Sequence, residues 1–133
     1  MVERQGDGND KLVILYHVSP VVIHWDILIH AADAPVLLAW RCLIDPAGWF
    51  LTSRQFATTI IRLPDHRLKY LNYSGAISDN RGWVTPVLRY PGKMTHQSDM
   101  ELKLRVETGI APWRLSLQQI KGNQWRLEAT CLE

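Results

Sequence analysis

Val21-Val22-Ile23-His24-Trp25-Asp26-Ile27-Leu28-Ile29-His30 is an uninterrupted run of β-branched, aliphatic and aromatic residues around a central His-Trp-Asp. Such a run reads as a strand. Alternate side chains of a strand share a face, so His24 and Asp26 project together and Trp25 projects the other way. In a helix the same pair would lie about 200° apart and could not share an ion. The preceding apolar run, Leu12-Val13-Ile14-Leu15-Tyr16, ends in His17. A hairpin through Val18-Ser19-Pro20 would return His17 to the side of His24. Two imidazoles and a carboxylate on one hairpin face are the donor set of a common metal facet. A His-x-Asp in a strand is nonetheless more often a hydrogen-bonded pair than a chelate, so spacing alone leaves both readings open.

Outward from this hairpin, the rest of the chain repeats the same short-strand pattern. Lys11 to Val18 and Val21 to Ala31 are the first two strands. Ala32-Asp33-Ala34-Pro35 turns the chain into a third, Val36 to Cys42. Asp45-Pro46-Ala47-Gly48 is a further turn. Thr52 to Thr59 suits a short helix with Thr52 or Ser53 as N-cap. Trp83 to Tyr90 is a strand interrupted by Pro86, which places it at an edge or a bulge. Pro91 to Ser98 reads as a loop. Three alternating runs follow, Met100 to Glu107, Trp113 to Ile120 and Gln124 to Leu132, each with one apolar and one polar face. The sum is an all-β fold, a compact antiparallel β-barrel with one or two short helices.

The 133 residues, 47% of them hydrophobic, suffice for one core and rule out a disordered chain. Met1 to Asp10 is polar and is expected to be a flexible arm, with residues 11–133 forming a single domain. A net charge of +2 permits a nucleic-acid partner but does not call for one. No apolar run is long enough to span a bilayer, and no signal-peptide pattern opens the chain. Cys42 and Cys131 stand outside any Cys-x-x-Cys pair and suit small buried positions in a reducing cytoplasm. A cytoplasmic monomer without membrane contact is the expectation.

The second informative stretch is Leu63-Pro64-Asp65-His66-Arg67-Leu68-Lys69-Tyr70-Leu71-Asn72-Tyr73-Ser74-Gly75-Ala76-Ile77. It resembles the Asp-His-x-Leu-x-Tyr-x-x-(Phe/Tyr)-x-Gly-x-Ile signature of the 3′-phosphoesterase domain of bacterial DNA ligase D. His24-Trp25-Asp26 is similar to that family's His-aromatic-Asp motif, and the strand ending in His17 to the one before its first metal histidine. The likeness is closest to small stand-alone members of the family, and its specific part covers roughly residues 11 to 88. The resemblance implies a β-barrel that trims 3′ ends of DNA in break repair, removing a terminal ribonucleoside and then the 3′-phosphate. It implies a divalent ion, manganese or another such as zinc, on His17, His24 and Asp26, with His66 and Tyr70 contacting the scissile phosphate. Its partners would be DNA or RNA-terminated DNA 3′ ends and a repair ligase or polymerase.

The chain departs from the family pattern in four places. Six residues separate His17 from His24 where the family usually has five. Leu28 stands where the family commonly carries an arginine. An upstream arginine is unmatched, although Arg54 and Arg62 flank its place and, with Arg67, are the candidate phosphate contacts. The N-terminal arm is reduced to Met1 to Asp10, where Arg4 has no clear counterpart. Arg67, Lys69, Arg81 and Arg89 offer a basic edge, which on a barrel is as a rule a solvated surface. His30 sits beyond the site, and His96 is expected in a loop. The tryptophans are expected to pack, although an exposed one could stack on a nucleic-acid end. The rival readings are a non-catalytic barrel of the same fold that binds nucleic acid or a repair partner, and a small-molecule barrel with an incidental His-Asp pair.

Overall fold

In the computed structural model, which describes residues 10–46 and 48–133, the first hairpin joins β1 (Asp10–Val18) to β2 (Ile23–His30). Ser19 closes its turn: its N–H and hydroxyl both donate to the Val22 carbonyl, and its Oγ accepts the Val22 N–H. The register sets His17 opposite His24 and Leu15 opposite Asp26. β3 (Leu37–Cys42) and β4 (Gln55–His66) extend the sheet, followed spatially by β9 (Gln124–Cys131), β8 (Pro112–Lys121), β7 (Glu101–Glu107) and β6 (Gly82–Gln97). β6 then pairs back onto β1, closing an antiparallel ring; β5 (Gly75–Ile77) hangs on the other edge of β6. The only helical pieces among the described residues are one turn of α1 (Trp49–Thr52) and a 3-10 turn over Leu68–Leu71. The expected antiparallel β-barrel is thus the fold.

Strand parity divides the apolar residues into two layers. Leu12, Ile14, Ile27, Ile29, Trp40, Trp113 and Trp125 belong to a cluster drawn from around the ring, and fill its interior. Each fully buried side chain of this size contributes roughly 1.5–3 kcal/mol. The opposite parity gives a second, smaller cluster, Val13, Leu15, Leu28, Leu37, Ala39 and Val84, on the outside of the wall. Leu63, Tyr70, Leu71, Tyr73 and Ile77, from the end of β4 and the connection to β5, cover it. This is why β1 and β2 are apolar on both faces: one face fills the barrel and the other carries a lid of connecting chain.

Several boundaries differ from the sequence reading. Phe56 to Thr59 is strand, and the helix lies earlier, at Trp49–Thr52. The β-branched series Thr58-Thr59-Ile60-Ile61 favours the pleated surface over a helix that weak amphipathicity does not support. Pro91 to Gln97 is not a loop: β6 runs through it, handing over at Gly92 from β1 to β7. Pro86 does lie at a bulge, where the register slips between Ile14–Leu88 and Leu15–Pro86. Of the expected arm, residues 1–9 lie outside the described residues, as does Ala47 of the turn. Asp10 belongs to β1, and its carboxylate accepts the N–H groups of Ala32 and Met94.

Candidate metal centre

His17, His24 and Asp26 sit on the outer face of the β1–β2 hairpin, continuing the Val13, Leu15 and Leu28 parity. The six residues between the two histidines close through the Ser19–Val22 turn, so His17 faces His24, their rings 4.4 Å apart between centroids. His17 Nδ1 lies 3.0 Å from Asp26 Oδ2, and His24 Nε2 lies 3.0 Å from Asp26 Oδ1. The second approach is not aligned as a hydrogen bond: both ring nitrogens of His24 and Asp26 Oδ1 are buried without a hydrogen-bond partner. His24 is 1% and Asp26 2% exposed, so these atoms are shut off from water as well. Orphaned buried donors and acceptors cost about 1–3 kcal/mol each and call for an explanation. A shared cation supplies one, since one ligand atom from each of the three residues falls within a 4.8 Å span.

The tautomer of His17 is set by its other ring nitrogen. Its Nε2 faces the Arg81 carbonyl at 3.0 Å, so Nε2 carries a proton and donates. Nδ1 is then either protonated toward Asp26 Oδ2 or free to hold a metal. The hydrogen bond to Asp26 raises the His17 pKa, against burial and the nearby charge of Arg41. Burial alone would push the Asp26 carboxyl up; His17 and His24 outweigh it and hold the carboxyl at about 2. As it stands the cluster is a proton-clamped carboxylate; were a metal held here, the ion would take the place of the His17 Nδ1 proton. Gly82 makes the Arg81 contact attainable, because at φ +101° a Cβ there would lie 2.0 Å from the Val18 carbonyl oxygen.

β4 brings His66 to the same face. Ala39 pairs with Leu63 and Leu37 with His66, so β4 carries one residue more than β3 across the same span. This bulge at Pro64–Asp65 turns both Leu63 and His66 outward. His66 Nδ1 lies 2.9 Å from the Pro64 carbonyl, which fixes the donor on Nδ1 and leaves Nε2 for the cavity. Tyr70 follows on the 3-10 turn, its ring edge-on to His66 with centroids 5.8 Å apart. Arg89 holds this turn down by donating to the Leu71 carbonyl, and Lys69 lies over the Tyr70 and Tyr73 rings.

The two stretches share one cavity of about 420 Å³, lined by His17, His24 and Asp26 on one side and His66, Arg67 and Tyr70 on the other. Arg41 and Arg81 line it as well. Arg54 and Arg62 do not. Arg54 is exposed and lies just before β4, at the opposite end of that strand from His66. Arg62 donates to the Ala39 and Leu63 carbonyls and to Asp65, and its guanidinium lies over the Trp40 ring. His30 bonds the Ala34 carbonyl, and His96 pairs with Glu101 in β7. Sequence reasoning missed Arg41. Its signal was parity: in Trp40-Arg41-Cys42 the flanking residues fill the barrel, so Arg41 must face outward, directly across from Asp26.

No protein-family model matches the chain. No curated protein matches it at a significant level. The likeness to the phosphoesterase domain therefore stands on the quoted motif residues alone.

Proposed function

We propose that the protein is a divalent-metal-dependent phosphoesterase that processes 3′ ends of nucleic acid, removing a terminal ribonucleoside and a 3′-phosphate. The observation that carries this reading is the shared cavity: a His, His, Asp donor set on one wall and a His–Tyr pair on the other. The mixed imidazole and carboxylate set suits manganese or zinc. A bound ion would supply Lewis acidity and positive charge toward a phosphoryl oxygen. The chain's own groups supply the rest. His66, with Nδ1 donating to the Pro64 carbonyl, presents Nε2 to the cavity, where it can carry a proton to or from a phosphate or a leaving alkoxide. The Tyr70 hydroxyl can donate to one further phosphate oxygen. The apolar lining residues Leu15, Leu63, Ile77 and Val84 limit water around them, which strengthens each of these contacts.

DNA ends as substrate and break repair as setting come from the motif resemblance, as does a ligase or polymerase partner. Two free cysteines fit a reducing cytoplasm. The test is a primer ending in one ribonucleotide, incubated with and without manganese. Metal-dependent shortening, abolished by chelator, supports the reading. Tight manganese binding with no turnover would favour the non-catalytic nucleic-acid-binding barrel, a reading that Leu28 favours: it is apolar and fully buried where the resembled family has arginine.

A further inference from the structure

Arg41 is a cation whose buried Nε has no acceptor. Its backbone pairs directly with Asp26 across β2 and β3, and its side chain lines the same cavity as the metal-ligating group. Among the described residues Arg41 makes no ion pair, although Asp26 is its cross-strand neighbour. The Asp26 carboxylate is turned to the histidines instead, with Oδ2 bonded by His17 and Oδ1 3.0 Å from His24 Nε2. The other arginines near the site are occupied or solvated. Arg62 binds two carbonyls and Asp65. Arg81 is tied to Ser78 through Nε and Nη2. Arg67 is exposed.

A buried guanidinium nitrogen without an acceptor is costly, and more so beside a divalent cation. With an ion in place, the Asp26 carboxylate would face a divalent charge and a guanidinium, leaving two positive charges; Asp65, the other carboxylate of the lining, is paired with Arg62. A dianionic tetrahedral group offsets both and gives the Arg41 Nε its acceptor. Arginine is the side chain suited to that task, because its fork can meet two oxygens of one phosphate.

We propose that Arg41 is a phosphate-binding residue of this site, holding the terminal dianionic phosphate against the His17–His24–Asp26 group. This rests on the phosphoesterase reading and deepens it by assigning the anion-binding side chain to β3.

The experiment uses the full chain loaded with manganese and sulfate as the probe, a tetrahedral dianion that leaves manganese in solution. Calorimetry measures manganese affinity first and sulfate affinity second, in wild type, Arg41→Met, Arg41→Gln and Arg114→Met. Removing a charged hydrogen bond lowers affinity by about ten- to a hundred-fold. Arg41→Met and Arg41→Gln should lose sulfate affinity by that factor while binding manganese as well as wild type or better, since a neighbouring positive charge has gone. Arg114→Met, on the exposed face of β8 and outside the cavity lining, should leave sulfate binding unchanged. kcat/KM on a 3′-phosphate primer should fall with sulfate affinity. Where Met at this position fails to fold, the polar Gln variant carries the comparison. Sulfate affinity unchanged in the folded Arg41 variants overturns the assignment, as does a parallel loss of manganese. Manganese bound without any sulfate affinity in wild type overturns this inference alone; no manganese binding overturns the phosphoesterase reading and this inference with it.

Discussion

Asp26→Asn is the sharpest perturbation of the candidate metal centre, because it changes charge at nearly constant shape. Asp26 is 2% exposed and its carboxyl is held at about 2 against an ordinary 3.8. At neutral pH that difference contributes about 2 kcal/mol to folding. Asparagine forfeits it, and its amide meets His17 Nδ1 without charge. For 133 residues the unfolding entropy is about 0.28 kcal/mol per degree, so the metal-free variant should melt roughly 7–9 °C lower yet remain folded. The second effect is larger. At a manganese concentration a hundred times its Kd, wild type gains about 2.7 kcal/mol, or about 10 °C. Loss of an outer partner alone weakens metal binding about 10- to 100-fold, and loss of a ligand costs at least as much. At the same manganese concentration the variant should then gain about 1.4 kcal/mol, or about 5 °C, after a 10-fold loss and about 0.4 kcal/mol, under 2 °C, after a 100-fold loss. Thermal melts with and without manganese measure both. A variant that keeps the full manganese-dependent rise refutes Asp26 as a ligand, and a variant as stable as wild type without metal refutes the proton-clamp description of the cluster.

His66→Ala should keep the manganese-dependent rise in Tm and lose phosphoesterase turnover about 100-fold or more, since it removes proton transfer and a phosphate contact but no ligand; equal loss of both would make His66 a ligand. Leu28→Arg should destabilise the protein by several kcal/mol in denaturant titration and bring no gain in turnover, because Leu28 is fully buried between Val13, Leu15, Leu37, Ala39 and Val84; a stable variant with faster turnover would show that an arginine at this position reaches the phosphate. The pH dependence of the metal-free protein has two limbs. Asp26, with its pKa lowered to about 2, contributes stability that is present above 3.8 and lost as pH falls toward 2. His17, with its pKa raised, contributes stability that is complete below 6.5 and lost as pH climbs through the raised value. Metal-free stability from denaturant melts should therefore be greatest between roughly pH 4 and 6.5. Manganese should remove the alkaline limb by replacing the His17 proton, and metal-free stability rising from pH 6 to 8 would contradict the assignment.

Much of the fold was legible because β1 and β2 announce themselves twice, by β-branched composition and by the His-x-Asp parity. The final three strands announced themselves by plain alternation. What escaped was whatever depends on register between distant strands. Arg41 could be placed outward from Trp40 and Cys42, but its pairing with Asp26 follows from where the Ala32–Pro35 turn sets β3 against β2. His66 was legible as a motif residue, whereas its orientation depends on a bulge that sequence periodicity does not reveal. The apparent helix over Thr52 to Thr59 failed because pairing with β9 outweighed a plausible N-cap. Pro91 to Gln97 looked like a loop because a proline and a glycine mark the point where β6 changes partners. That the site lies outside the barrel, beneath the segment that follows His66, was not readable from either motif alone.

Whether this cavity is a phosphoesterase site is decided by release of inorganic phosphate from a 3′-phosphorylated DNA primer by the purified protein, with manganese or with chelator, run beside Asp26→Asn prepared identically. Wild type should release phosphate with manganese and none with chelator, and Asp26→Asn should release at least a hundred-fold less at the same metal concentration. Release that is equal in the two proteins, or no release from a wild type shown to bind manganese, would contradict the phosphoesterase reading.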